Sequence, residues 1–304
     1  MNSFSKYLFF FVLGLFSFSS KSYSQQVSED ILNEYLWKNC FETNTLKSSK
    51  TKTIRQTYFS KKPLKPIIKS DYKQKFWEIN PEGAVTLQMK TIALSDTIID
   101  TTVSWFFYNK NKLSTIKKTG IGGITVKSIT YKNNIPVYYS YGKSINNSKK
   151  KTILDLISYT EGRKEFIETI SIGKTNTLEK YKSSESIVFK TIYTEKTDSN
   201  TTKTSTLFPL NSKEDFTVTE EKNNLNFHTI CYYSKYSDSI CYIIHWDEKG
   251  KIDEYETFNS SMNKKTHLTE LIYDEKNELL KAIVTKNLEN ETIEIIKFHY
   301  TYYD

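Results

Sequence analysis

Apolar and polar positions follow three rhythms along this chain. The first is a near-continuous apolar run, Leu8 to Phe18, preceded by Lys6 and followed by Ser22 and Ser24. A positive start, a run of that length and small residues where a signal peptidase reads predict a secretory signal peptide over residues 1–24, cut before Gln25. The run is shorter than the about 20 residues a membrane-spanning helix needs. The second rhythm runs from Ser28 to Cys40, where Ile31, Leu32, Tyr35 and Leu36 line one helical face. Ser28 is expected to cap this helix, with Glu29 and Asp30 placed where the helix dipole favours negative charge. Thr43 to Thr53 is polar and expected to be loose. Lys61-Lys62-Pro63-Leu64-Lys65-Pro66 reads as extended, because each proline fixes φ and restricts its predecessor. Residues 25–70 are therefore expected to be a helix and an extended linker.

The third rhythm begins near Tyr72 and is one of short aromatic or β-branched segments separated by polar turns. Phe76 to Ile79 runs into Asn80-Pro81-Glu82-Gly83, Cys241 to Trp246 into Asp247-Glu248-Lys249-Gly250, and Leu271 to Tyr273 into Asp274-Glu275-Lys276-Asn277. Asp or Asn opening a turn accepts hydrogen bonds from the backbone two residues on. Gly or Asn at the fourth position tolerates the positive φ of a bulged hairpin turn. The openings at 80 and 109 are 29 residues apart and those at 247 and 274 are 27 apart, a period that suits a repeated hairpin. Residues 71–304 are thus expected to be all-β: an antiparallel hairpin or meander repeat sheet, either one curved sheet or two packed sheets. The polar stretch at 143–151 marks a possible internal break.

The segments Trp246-Asp247-Glu248-Lys249-Gly250-Lys251-Ile252 and Tyr273-Asp274-Glu275-Lys276-Asn277-Glu278-Leu279 resemble bacterial YD repeats, also called RHS-like repeats. Their pattern is Tyr-Asp, two variable residues, Gly, a polar residue, then Leu or Ile. Trp stands for Tyr at 246 and Asn for Gly at 277, and the units nearer the N-terminus keep only the Asn-x-x-Gly skeleton. The resemblance implies extended β-sheets that serve as shells, adhesive surfaces or glycan-binding scaffolds. It implies architecture more than activity.

Composition agrees with strands: 22 Tyr and 18 Phe stand against 9 Gly and 5 Pro, and aromatic and β-branched side chains suit a pleated, half-buried surface. Charge divides the chain. Residues 25–151 carry 22 Lys and Arg against 9 Asp and Glu, and residues 152–304 carry 19 against 26. The basic half could meet an anionic envelope surface or polyanionic glycan, or simply be a solvated lysine-rich face. Only two of the basic residues are arginines, Arg55 and Arg163. Specific phosphate and base recognition leans on guanidinium, so nucleic acid is not an expected partner.

Cys40, Cys231 and Cys241 are the cysteines. In an oxidising compartment Cys231 and Cys241, flanking an expected turn near Tyr236, can form a disulfide or remain thiols. No zinc spacing, nucleophile elbow or phosphate loop is present, so no catalytic, cofactor or metal residue is assigned. His245 and Asp247 share a strand face but have no third converging group in the sequence, and Glu254 and Glu256, which also share one, read as alternating acids on a solvent face. Aromatic residues are the better lead, with Trp105, Tyr138 and Tyr236 as candidates for stacking a ligand. The sequence therefore reads as an exported, non-enzymatic binding or scaffold module of the periplasm or cell surface. Its partner would be a glycan, an envelope component or another exported protein. A secreted glycan-directed hydrolase and an outer-membrane β-barrel are the alternatives.

Overall fold

The computed structural model describes residues 23–93, 99–120, 123–132, 135–144, 164–173, 175–183, 185–222, 227–234, 237–260 and 263–304. The signal segment up to residue 22, Tyr236 and most of the 143–151 stretch lie outside them. Two helices come first, α1 (Tyr23–Cys40) and α2 (Thr43–Ser48). Strands follow: β1 (Thr51–Lys61), β2 (Ile68–Ile79), β3 (Val85–Ala93), β4 (Ile99–Asn109), β5 (Lys112–Gly120), β6 (Gly123–Lys132), β7 (Ile135–Ser144), β8 (Lys164–Ile172) and β9 (Asn176–Lys182). The rest are β10 (Val188–Lys196), β11 (Thr201–Leu207), β12 (Phe216–Lys222), β13 (Phe227–Ser234), β14 (Ser237–Trp246), β15 (Ile252–Asn259), β16 (Lys264–Tyr273), β17 (Leu280–Asn287) and β18 (Ile293–Tyr302).

The fold is all-β and antiparallel, a meander with a short helical N-terminus. Each strand pairs with the next in sequence, and β1 pairs with both β2 and β18. The 18-stranded sheet among the described residues therefore closes on itself as an up-and-down barrel, rather than remaining an open curved sheet or a sandwich. Closure leaves no edge strand to template aggregation. Its seam joins residues far apart in sequence, such as Ile54 with Tyr300 and Tyr58 with Ile296. The barrel starts at Thr51, so the expected linker at 51–61 is β1. The expected loose stretch before it holds α2, whose Leu46 is fully buried.

The helix α1 lies inside the barrel. Trp37 stacks on Trp77 of β2 at 4.9 Å between ring centroids, while Tyr35 meets His228 of β13. Residues two apart on a helix point to nearly opposite sides. Their wall partners are seven strand steps apart, about 34 Å along a flat sheet, so the wall must curl around the helix. Eighteen strands give a circular section a diameter of at least about 27 Å at about 4.8 Å per strand, enough to enclose a helix about 10 Å across. Leu32, Leu36, Phe41 and Leu46 then form one core with Ile54, Ile230, Ile244, Leu271, Leu280 and Phe298 from the surrounding wall. Ser28 does not cap the helix. It sits within it, buried, and its hydroxyl accepts from the Tyr242 phenol at 3.2 Å.

The repeated turns gather at one rim of the barrel. Asn80 Oδ1 accepts from Ala84 N, and Gly83 takes φ +84°. Asp247 Oδ1 accepts from Lys249 N and Lys251 N, and Gly250 takes φ +75°. The third turn departs from expectation. Asp274 Oδ1 accepts from Lys276 N and Asn277 N, but Glu278, not Asn277, takes the positive φ of 60°. This turn is one residue longer, its closing bond running from Asp274 N to Leu279 O. Asn277 instead donates to the Tyr302 phenol at 2.9 Å. The aromatic residue near each strand end has its own role: phenols of Tyr108, Tyr131, Tyr273 and Tyr300 donate to the carbonyls of Val85, Leu113, Ile252 and Leu280. Each such bond spans from a strand's end to the start of the preceding strand at the same rim.

Cys231 and Cys241 face each other across the β13–β14 hairpin and are joined in a disulfide. A loop of that length contributes about 2–3 kcal/mol by constraining the unfolded chain. Reduction should lower the unfolding free energy of the wild type by that amount, read from the shift of its denaturation midpoint, and leave a Cys231→Ser/Cys241→Ser protein unmoved. The rim offers a second check. A Cβ on Gly83 would sit 2.2 Å from the Thr43 carbonyl oxygen, whereas one on Gly250 meets open space. Gly83→Ala should cost about 3 kcal/mol or more and Gly250→Ala about 1 kcal/mol. Chemical denaturation of the two variants measures the contrast.

Candidate functional site in the barrel lumen

Strand register sorts every wall residue to one face, because directly opposed residues share a side. Trp77 faces the lumen, since it stacks on α1. In register with it are Gln88, Ser104 and Lys118, on β3, β4 and β5. The neighbouring row is Lys75, Lys90 and Thr102. Gln88, Lys90, Thr102, Ser104 and Lys118 line a recess of about 170 Å³ in this inner wall. Its chemistry is hydroxyl, amide and ammonium, a set that donates hydrogen bonds and carries positive charge. Among the described residues no ion pair engages Lys90 or Lys118. Asp100 reaches this region too, its carboxylate lying beside the Gly120 position.

Lys75 and Lys90 are directly opposed. Two like charges at such a position destabilise a sheet. Burial, then Lys90 and Lys73, lower the Lys75 pKa from 10.5 to about 8, while Asp30 of the enclosed helix acts in the opposite sense. The inner wall is therefore short of negative charge at this point, and α1 supplies only part of it.

On the far side of α1 the lumen is held by a polar chain. The Tyr35 hydroxyl bonds Nδ1 of His228, and His228 Nε2 faces Glu220 of β12 at 3.1 Å. His228 is buried. Its hydrogen bond holds the Glu220 carboxyl below the usual range, while burial and then Glu220 push the Tyr35 phenol up. This chain fixes the helix to the wall. Cys40 lies deeper, 3.6 Å from the Tyr273 hydroxyl, and burial pushes its thiol up to about 11. A protonated, enclosed thiol is a packing group, not a nucleophile.

The residues singled out for ligand stacking do not meet. Trp105 is half-buried on the outer wall opposite Lys117, whose ammonium lies 5.9 Å from its ring centroid, so a cation already occupies that face. Tyr138 lies on β7, opposite Phe166 and Thr130, but its side chain is outside the described residues, as is all of Tyr236. The lumen lysines escaped the sequence reading because an inward lysine and a solvated one read alike until register assigns the face.

No family model matches this chain, and no curated protein matches it. Among solved structures it is similar to a porin-like protein from Bacteroides uniformis, at 9% identity and TM-score 0.41, over 83% of this chain and 97% of that one. It is also similar to a LolA superfamily protein from Nitrosomonas europaea, at 6% identity and TM-score 0.25, over 87% and 92%. A DUF1329 family protein from Desulfovibrio piger aligns at 4% identity and TM-score 0.24, over 88% and 90%. All of these overlap too loosely to bear on what this chain does.

The Lys75 environment has a signed consequence. Its folded pKa lies below the unfolded value, so between about pH 8 and 10.5 the unfolded chain binds the extra proton and stability rises with pH. Below about pH 8 the penalty is present in full. Lys75→Met should be more stable than wild type near pH 7, by on the order of 2 kcal/mol. That advantage should shrink as pH climbs toward 10. Urea midpoints of the two proteins, compared across this window, test the sign, and an advantage independent of pH would contradict it.

Proposed function

We propose that this is an exported, non-enzymatic barrel that holds an anionic ligand, such as an acidic glycan or a phosphorylated envelope component, against the lysine-lined part of its lumen. The observation that carries this reading is the inner-wall group of Lys75, Lys90 and Lys118, set among Gln88, Thr102 and Ser104 and built around a directly opposed lysine pair. An anion bridging those ammonium groups offsets the repulsion between them. Export is supported by the signal pattern in the first 24 residues and by the Cys231–Cys241 disulfide, which belongs to an oxidising compartment. We read the hairpins as degenerate YD repeats. In support, Asp247 and Asp274 each close a turn through their carboxylates, and the Tyr273 phenol ties its hairpin to the one before it.

Closure of the sheet gives weight to one rival, a barrel embedded in the outer membrane. The outer wall opposes it. Arg55, Lys180, Lys203, Glu221, Glu256 and Lys297 all sit on outward-facing strand positions. Near the bilayer midplane an outward basic residue costs about 2–4 kcal/mol, with acidic ones costing less. Exposed ion pairs such as Lys203–Glu195 at 3.5 Å belong to a wall that faces water.

Two measurements test the reading. Osmotic shock without detergent should release the protein from cells. In binding assays a sulfated oligosaccharide should raise the melting temperature and bind in a salt-dependent way, while the unsulfated form should not. Lys90→Gln/Lys118→Gln should weaken binding about tenfold or more. Equal binding of the neutral sugar, or full affinity in the double variant, would refute the lumen site.

A further inference from the structure

The outer wall carries a second cluster, remote in chemistry from the lumen. His245 on β14 is directly opposite Glu254 on β15, and Glu256 follows two residues on, so all three side chains leave the same face. Among the described residues, their donor atoms form a group that lies within 4.8 Å of one another. On the next strand, β16, Glu270 is directly opposite Glu254. Lys265, also on β16, ion-pairs with Glu256 at 2.5 Å. A patch of three acids thus has one bound lysine, and two of those acids are cross-strand partners, which destabilises a sheet unless a cation intervenes. Nε2 of His245 is shut off from solvent and makes no hydrogen bond. A buried imidazole nitrogen without a partner is costly, and the ring that carries it offers one of its nitrogens within 4.8 Å of both carboxylates, a set a metal ion would satisfy.

We infer that His245, Glu254 and Glu256 form a binding site for a divalent first-row transition metal on the outer wall of the barrel. One imidazole and two carboxylates suit Zn²⁺ or its neighbours better than Ca²⁺ or Mg²⁺, which take oxygen ligands alone. A tetrahedral Zn²⁺ with ligands at about 2.0–2.1 Å needs donor atoms about 3.3 Å apart. The three half-buried side chains reach that spacing by small rotations, once Lys265 yields Glu256. Three protein ligands leave a fourth position open to water or to a group on a partner. His245 is held from its other side by Phe227, whose ring centroid lies 6.3 Å away, so the ring enters the site from a packed position.

The test uses untagged, chelator-treated, full-length protein titrated with Zn²⁺ by calorimetry and with Co²⁺ by visible absorption. One ion per chain at micromolar or tighter affinity is expected, with the Co²⁺ bands of a low-coordinate nitrogen-oxygen site. His245→Gln and Glu254→Gln should each weaken binding at least tenfold, while His299→Gln, at an exposed histidine bonded to Thr57, should leave it unchanged. Lys265→Met gives the sharper reading: removing the competing ammonium should tighten binding several-fold. Unchanged binding in His245→Gln, weaker binding in Lys265→Met, or no binding at millimolar metal would each overturn the inference. Circular dichroism spectra that match wild type confirm that the variants compared are folded.

Discussion

Trp37 stacked on Trp77 on one side of α1, and Tyr35 bonded to His228 on the other, set the curvature on which this molecule depends. A wide sheet with polar residues along much of its inner face has little to bury by itself. The helix supplies the missing apolar partner. With it in place, the wall from β13 around to β2 closes over a continuous core, and the remaining wall can stay polar and hydrated. The interior is thus divided by function of surface: one part seals a helix, the other keeps its ammonium and hydroxyl groups available.

The same register that sets the core also opposes like charges, Lys75 with Lys90 inside and Glu254 with Glu270 outside. Each arrangement weakens the sheet locally, and each sits beside further groups of the same chemical kind. Sheets normally place opposite charges across from one another, and this one does so elsewhere, as in Lys180 with Glu168 and Lys203 with Glu195. Where the rule is broken, the wall is electrostatically unfinished, positive in the lumen and negative on the outside. The two like-charged patches lie on opposite faces of the wall and share no residue.

The strand-turn rhythm made the architecture legible. Asp247, Gly250 and Asp274 do the turn chemistry their identities suggest. Asn277 does not, because an extra residue moves the positive φ to Glu278, a shift no spacing rule registers. Closure entered the sequence reading only through the outer-membrane barrel alternative, since the β1–β18 seam leaves no local mark. Nor was the role of α1: the sequence shows one apolar face with Tyr35 on it, whereas a helix surrounded by wall also uses Trp37, almost diametrically opposed to Tyr35. The sites were hidden for the same reason. Lys90 and Lys118, or His245 and Glu254, become neighbours only through pairing, and the sequence places them many residues apart.

The hairpin is the unit of this barrel, and a hairpin always adds two strands. A count built that way stays even, so the first and last strands meet antiparallel, as β1 and β18 do. Gain or loss of one hairpin by gene duplication or deletion would change the girth of the barrel without disturbing the direction of its seam. It would also leave the start of β1 and the end of β18 at the same rim, where Tyr303 N bonds Lys50 O. A lineage of such barrels can therefore vary in bore while conserving its closure, with the fit of the enclosed helix as the selection that limits how wide or narrow each descendant becomes.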